Sequence, residues 1–163
     1  MSQDYKLSDK AMSILEPLVH IELFQSSVYV QLANLANKAG FLKAEDYFLN
    51  ESKEEREHAM IHYDYIVGRG SDFQMPNIEE PSEEGTTLYD ITKAALEMEA
   101  EVSTMYQEAA AKMFPVCQMS YNHLLQFLKI QQDALKFYID ACSTLNGLEK
   151  TGELVAEKSV FKL

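Results

Sequence analysis

Apolar residues recur at three- and four-residue intervals through most of this chain, and four long helical patterns account for them. The first runs over about 9–38, with Ser8 or Asp9 as its N-cap and Gly40 at its end. The second covers about 43–67 and stops at Gly68 and Gly70. The third covers about 87–113. The fourth covers about 116–145, with Pro115 near its first turn and Asn146-Gly147 closing it. A tail over about 152–163 predicts one more short helix.

The connections predict the arrangement. Helices one and two are joined by a few residues, as are helices three and four, so each pair is antiparallel. Between two and three lies a longer segment, 68–86, carrying Pro76 and Pro81. A 25-residue helix is about 38 Å long. About 17 extended residues can span roughly 56 Å. The segment can therefore cross the whole bundle and leave helices two and three parallel. The expected fold is all-α: a four-helix bundle with one long crossover, within a single domain over 1–163 (bundle about 8–146).

Each inward seam is interrupted by polar residues near its middle. Helix one reads Leu15, Leu18, Glu22, Gln25, Tyr29, Leu32, Ala36. Helix two reads Phe48, Glu51, Glu55, His58, His62, Tyr65. Helix three reads Ala95, Glu99, Val102, Tyr106, Ala109, with Glu101 also flanking the apolar stripe. Helix four reads Tyr121, Leu125, Leu128, Gln132, Leu135, Ile139, Cys142. Singly, each polar residue has a bland explanation: a solvated flank for Glu22, a buried hydrogen-bonder for Gln132, a satisfied core phenol for Tyr29, a hydrogen-bonder behind the site for His62. Together they place carboxylates and an imidazole where a core would be apolar. Such groups are costly to bury unless neutralised. A metal cation is the economical neutraliser, and Glu55 and His58 share one helical face. A carboxylate can bridge two divalent cations, and imidazole suits iron.

Composition narrows the reading. Of 163 residues, 47% are hydrophobic and 25% charged; Gly (6) and Pro (4) are scarce, which fits long helices. The formal net charge of −12 disfavours nucleic acid or an anionic membrane as partner and favours attraction of cations. No stretch reaches a membrane span and residues 1–10 carry no apolar signal core. Cys117 and Cys142 have no metal-type spacing, which fits a reduced, cytoplasmic protein.

At the interrupted seams the chain resembles the non-haem ferritins. Ile21-Glu22-Leu23-Phe24-Gln25-Ser26-Ser27-Val28-Tyr29 is similar to the family's first-helix motif. Glu54-Glu55-Arg56-Glu57-His58-Ala59 matches the second-helix motif of animal heavy-chain ferritins. Leu96-Glu97-Met98-Glu99 resembles the third-helix motif, and Gln131-Gln132 the fourth. The resemblance implies a ferritin-like bundle with a short C-terminal helix. It implies a first iron site of Glu22, Glu55 and His58, with Glu55 bridging to a second site completed by Glu99 and Gln132 close by. Tyr29 would hydrogen-bond into the site and donate an electron. Glu54 and Glu57 match positions that help iron leave toward a cavity. The implied activity is ferroxidase: Fe(II) is oxidised at a di-iron centre by dioxygen or peroxide, and Fe(III) is mineralised inside a homo-oligomeric shell of about two dozen subunits.

The departures are specific. Helix four lacks the Glu-x-x-His of bacterioferritins, rubrerythrins and di-iron oxygenases. Arg56 stands where a bacterioferritin carries its haem-ligating Met, so no haem is expected. Gln131 and Leu135 replace acids associated with a third iron site, Met60 replaces a nucleating Glu, and Asn122 and Leu125 stand where animal chains line a threefold channel with acids. Two other readings compete: a di-iron oxidase or peroxidase without storage, and a structural helical protein with solvated acids. The 14 basic residues are too few to pair 26 acids.

Overall fold

The computed structural model describes residues 5–162, and among these it contains five helices and no strand. Four are long: α1 (Asp9–Ala39), α2 (Leu42–Gly68), α3 (Leu88–Met113) and α4 (Gln118–Leu145). The fifth, α5 (Lys150–Val160), is short. Ser8 caps α1 by accepting a hydrogen bond from the Ala11 N–H at 3.1 Å. Gly40 ends it in the left-handed region, φ 87°, and lets the Phe41 N–H reach back to Ala36 O at 2.8 Å. That turn is so tight that α2 starts two residues later.

Helix α4 begins later than the sequence pattern predicts. Residues 114–116 form a turn, and Cys117, not a residue next to Pro115, is the N-cap, its thiol accepting from the Ser120 N–H. Both cysteines are free.

Direction follows from two cross-helix pairs. Glu22 meets Tyr106 and Tyr29 meets Glu99, so α1 and α3 run antiparallel. Helix α1 is also antiparallel to α2, which makes α2 and α3 parallel, as a long crossover requires. The crossover has no regular secondary structure between residues 71 and 85 and runs beside α1. Its Glu79 binds His20 at 2.7 Å and its Glu83 carbonyl accepts from Gln31 at 3.4 Å. Four residues of crossover thus track eleven of helix. An extended chain advancing about 3.3–3.6 Å per residue does this against a helix rising about 1.5 Å.

The core has two halves. One gathers Val28, Leu32, Phe41, Phe48, Leu88, Tyr138, Leu145 and Phe161. The other gathers Leu15, Leu18, Ile66, Val102, Tyr106, Met113, Leu124 and Phe127. Between them lies a polar waist of buried Glu22, Gln25, Glu55, Glu99 and Gln131. No helix among the described residues is long and apolar enough to cross a membrane.

Candidate metal centre

Each waist residue arrives on its seam for a local reason. Glu22 and Tyr29 are two turns apart on α1, and Glu99 and Tyr106 are two turns apart on α3. Because the helices are antiparallel, each tyrosine falls opposite the other helix's glutamate. Tyr29 donates to Glu99 Oε1 at 2.5 Å, and Tyr106 donates to Glu22 Oε1. Both phenols are fully buried. Helix α2 supplies Glu55 and His58 one turn apart. His58 Nδ1 lies 3.0 Å from Glu55 Oε2 and 3.5 Å from Glu22 Oε2.

Glu22, Glu55 and His58 each offer a ligand atom within 4.8 Å of the others, which is the spacing of donors around one cation. Two further oxygens are buried without a hydrogen-bond partner: Glu22 Oε2, whose nearest cation is the His58 ring, and Glu99 Oε2. An orphaned buried carboxylate oxygen is costly, and ligation of a cation removes that cost. The donor set of carboxylates and one imidazole suits iron, so the residues present fit the metal.

The electrostatics point the same way. Burial pushes Glu55 far above the usual carboxylate range, and Glu22 beside it adds to the effect, although His58 opposes it. Burial also raises Glu99, against the hydrogen bond from Tyr29. Burial would raise Glu22, but His58, Glu55 and Tyr106 together hold it below its ordinary value. Burial would lower His58, but the two carboxylates outweigh it and carry the ring to about 10. The cluster therefore keeps protons among its carboxylates and ring, where a divalent cation would supply the positive charge instead.

The other predicted residues fall into place or out of it. Glu54, Glu57 and Arg56 are exposed, and so are Glu97 and Glu101, which leaves Glu99 as the inward acid of α3. Glu51 is half-buried one turn before Glu55, and burial together with Glu54 raises it to about 7. Helix α4 differs from expectation by one residue. Gln132 is exposed, as are Leu125 and Ile139, and the buried face is Leu124, Phe127, Gln131 and Tyr138. Gln131, with its Oε1 unpartnered, is the glutamine that α4 brings to the waist, beside Gln25 from α1. The reason is that α4 carries apolar or amide doublets at 124–125, 127–128, 131–132 and 138–139, and packing selects the aromatic members. Phe127 stacks on His62 and Tyr106, and Tyr138 stacks on Tyr29.

Comparison with known proteins places the chain in a family. A model of the Ferritin-like domain matches residues 12–147. The chain belongs to that family. Among ferritin-like relatives, a probable bacterial non-heme ferritin-like protein of Haemophilus influenzae is 23% identical over 148 residues, covering 90% of each chain. A bacterial non-heme ferritin of Staphylococcus epidermidis is 26% identical over 100 residues, covering 61% of this chain and 60% of its own. An open pore ferritin from the archaeon Archaeoglobus fulgidus superposes with a TM-score of 0.91 over 98% of this chain and 99% of its own at 20% identity, which establishes the ferritin-like fold. An engineered closed form of that ferritin superposes at 0.90. Within this ferritin-like chain, Tyr106, a seam residue in the sequence pattern, is buried against Glu22. Its signal was present: the Glu99–Tyr106 spacing repeats the Glu22–Tyr29 spacing.

Proposed function

We propose that this ferritin-like protein stores iron and oxidises it on the way in. The observation that carries the reading is the convergence of Glu22, Glu55 and His58 at the waist, with Glu99 held beside them by Tyr29. Fe(II) is the substrate. Glu22, Glu55 and His58 bind one ion. Glu55 reaches toward a second that Glu99 completes, and Gln131 rather than Gln132 is the amide available to it. Two Fe(II) give one electron each, and dioxygen takes two electrons and two protons to become hydrogen peroxide. Tyr29 and Tyr106 hold the outer carboxylates so that their free oxygens face the ions. Family membership supports storage, and with it a closed homo-oligomeric shell in which the whole of 1–163 acts as one unit and Glu54 and Glu57 offer exposed carboxylates to departing Fe(III).

Aerobic Fe(II) titration followed by ferric absorbance tests the reading. The wild-type protein should oxidise about two Fe(II) per chain in a rapid phase. Glu55→Ala, which removes the shared carboxylate, should lose that phase and leave only the slow background. A variant with unchanged kinetics refutes the assignment.

A further inference from the structure

His62 is fully buried on α2 and binds no ion in the proposed scheme, yet both of its ring nitrogens are engaged. Its Nε2 lies 2.8 Å from Tyr106 Oη, and its Nδ1 lies 2.9 Å from His123 Nε2. Tyr106 in turn donates to Glu22 Oε1. His123 is half-exposed and lines a surface groove with Tyr65, Asn122 and Gln126. Four side chains therefore form one hydrogen-bonded file from the groove to the waist.

The direction of each bond in the file follows from its inner end. His58, Glu55 and Tyr106 hold Glu22 below its ordinary carboxylate value against the effect of burial, so at neutral pH its oxygens only accept. A phenol carries one hydrogen, and Tyr106 directs it to Glu22. The phenol oxygen can then only accept from His62 Nε2. That makes His62 the Nε2–H tautomer, whose bare Nδ1 accepts in its turn. His123 must donate from Nε2, which leaves its own Nδ1 bare, 3.5 Å from the side-chain nitrogen of Gln126. Every O–H and N–H along the file thus points inward, toward Glu22. In the reverse order, with Tyr106 donating to His62, two oxygens would meet at Glu22 with no hydrogen between them.

The surroundings suit this order. Burial takes His62 down to about 3 and His123 to about 4, so both rings are neutral and each keeps one bare nitrogen. Phe127 stacks on His62 at 4.2 Å and on Tyr106 at 5.1 Å, and Tyr65 stacks on His123 at 4.1 Å, which holds the rings in line. The opposite pair is backed differently: Tyr29, which holds Glu99, stacks on Tyr138, whose buried hydroxyl has no partner.

We infer that His62, held in one tautomer by His123, is a positioning residue that fixes the Tyr106 hydroxyl on Glu22. The inference rests on the metal-centre reading for its consequence, because the other oxygen of Glu22, Oε2, is one of those left without a partner for a cation to take up. Accepting from His62 polarises the Tyr106 O–H and strengthens its bond to Glu22. Without His62 the buried phenol oxygen loses its donor, and the hydroxyl is no longer confined to the carboxylate.

The test has two arms. Nitrogen NMR of isotope-labelled, metal-free protein at neutral pH should find both His62 and His123 as the Nε2–H tautomer, assigned from the signals lost in His62→Gln and His123→Gln. Calorimetry with Zn(II), which binds without redox chemistry, should find His62→Leu weaker than wild type by about tenfold or more. His62→Gln, whose side-chain N–H can still donate to Tyr106, should recover most of that loss, with helix content by circular dichroism unchanged. An Nδ1–H tautomer for His62 in the wild type overturns the inference, and tight Zn(II) binding alongside it leaves the metal centre standing. Wild-type affinity in His62→Leu also overturns it, and so does an equal loss in His62→Leu and His62→Gln, which would mark a packing role only. A wild-type protein that binds no Zn(II) overturns the metal centre, and the positioning role with it.

Discussion

At the scale of single residues, the centre is organised by two hydroxyls that bind no metal in the proposed scheme. Tyr29 and Tyr106 each remove one lone pair of a buried carboxylate from competition and fix the direction of the other oxygen. Groups that orient ligands in this way typically account for about 10–100-fold in metal affinity. Tyr106→Phe should therefore weaken Zn(II) binding by about that factor, measured calorimetrically, and leave the helix content by circular dichroism unchanged. The candidate site was legible as a set rather than residue by residue, because one acid on a seam can be a solvated flank whereas acids and an imidazole in the middle of several apolar seams are together costly to bury unneutralised. The spacing that pairs tyrosine with glutamate was legible too, but only on α1 was it read. What the sequence could not specify was Gln131 against Gln132. Adjacent residues on a helix lie about 100° apart, and when both flank an apolar stripe only the partner helices choose between them.

At the scale of elements, the short helix α5 is held by two carboxylates one turn apart. Glu153 Oε2 accepts from the Tyr89 N–H at 2.8 Å, at the start of α3. Glu157 Oε2 accepts from the Ala44 N–H at 3.3 Å, at the start of α2. Both are buried, and each meets the positive end of a helix dipole. Phe161 completes the docking against Tyr47, Phe48 and Phe137. Glu157→Ala should cost roughly 0.5–2 kcal/mol, the usual value of an N-terminal cap. Amide hydrogen exchange checks this: Ala44 and the α5 amides should exchange faster, while the middle of α4 keeps its protection. The tail was visible in the sequence as a short helix, but its role was not, because its partners are 64 and 113 positions away along the chain. The late start of α4 was missed for a local reason: a thiol is a weak acceptor and carries no cap signal, whereas Ser8 and Gly40, ordinary cap residues, marked the ends of α1 well.

At the scale of the molecule, the long crossover and the antiparallel order were fixed by loop length alone, since 68–86 is long enough to cross the bundle and the other connections are not. The charge of −12 per chain favours the approach of cations over anions at low salt. If about two dozen 18.6-kDa chains close into a shell, native mass spectrometry should find a particle of about 450 kDa. A monomer or dimer would remove the shell from the proposal while leaving the oxidation chemistry to stand or fall on its own assay. The crossed tyrosine–glutamate pairs have one last effect on the assembled bundle. Helices α1 and α3 lend each other a hydroxyl in opposite directions along their common axis, so any sliding of one rod past the other stretches both tethers at once. The two pairs thereby oppose sliding at the mid-section, and in the proposed scheme the exchange of one ion for another falls to side-chain rotation rather than to movement of the rods.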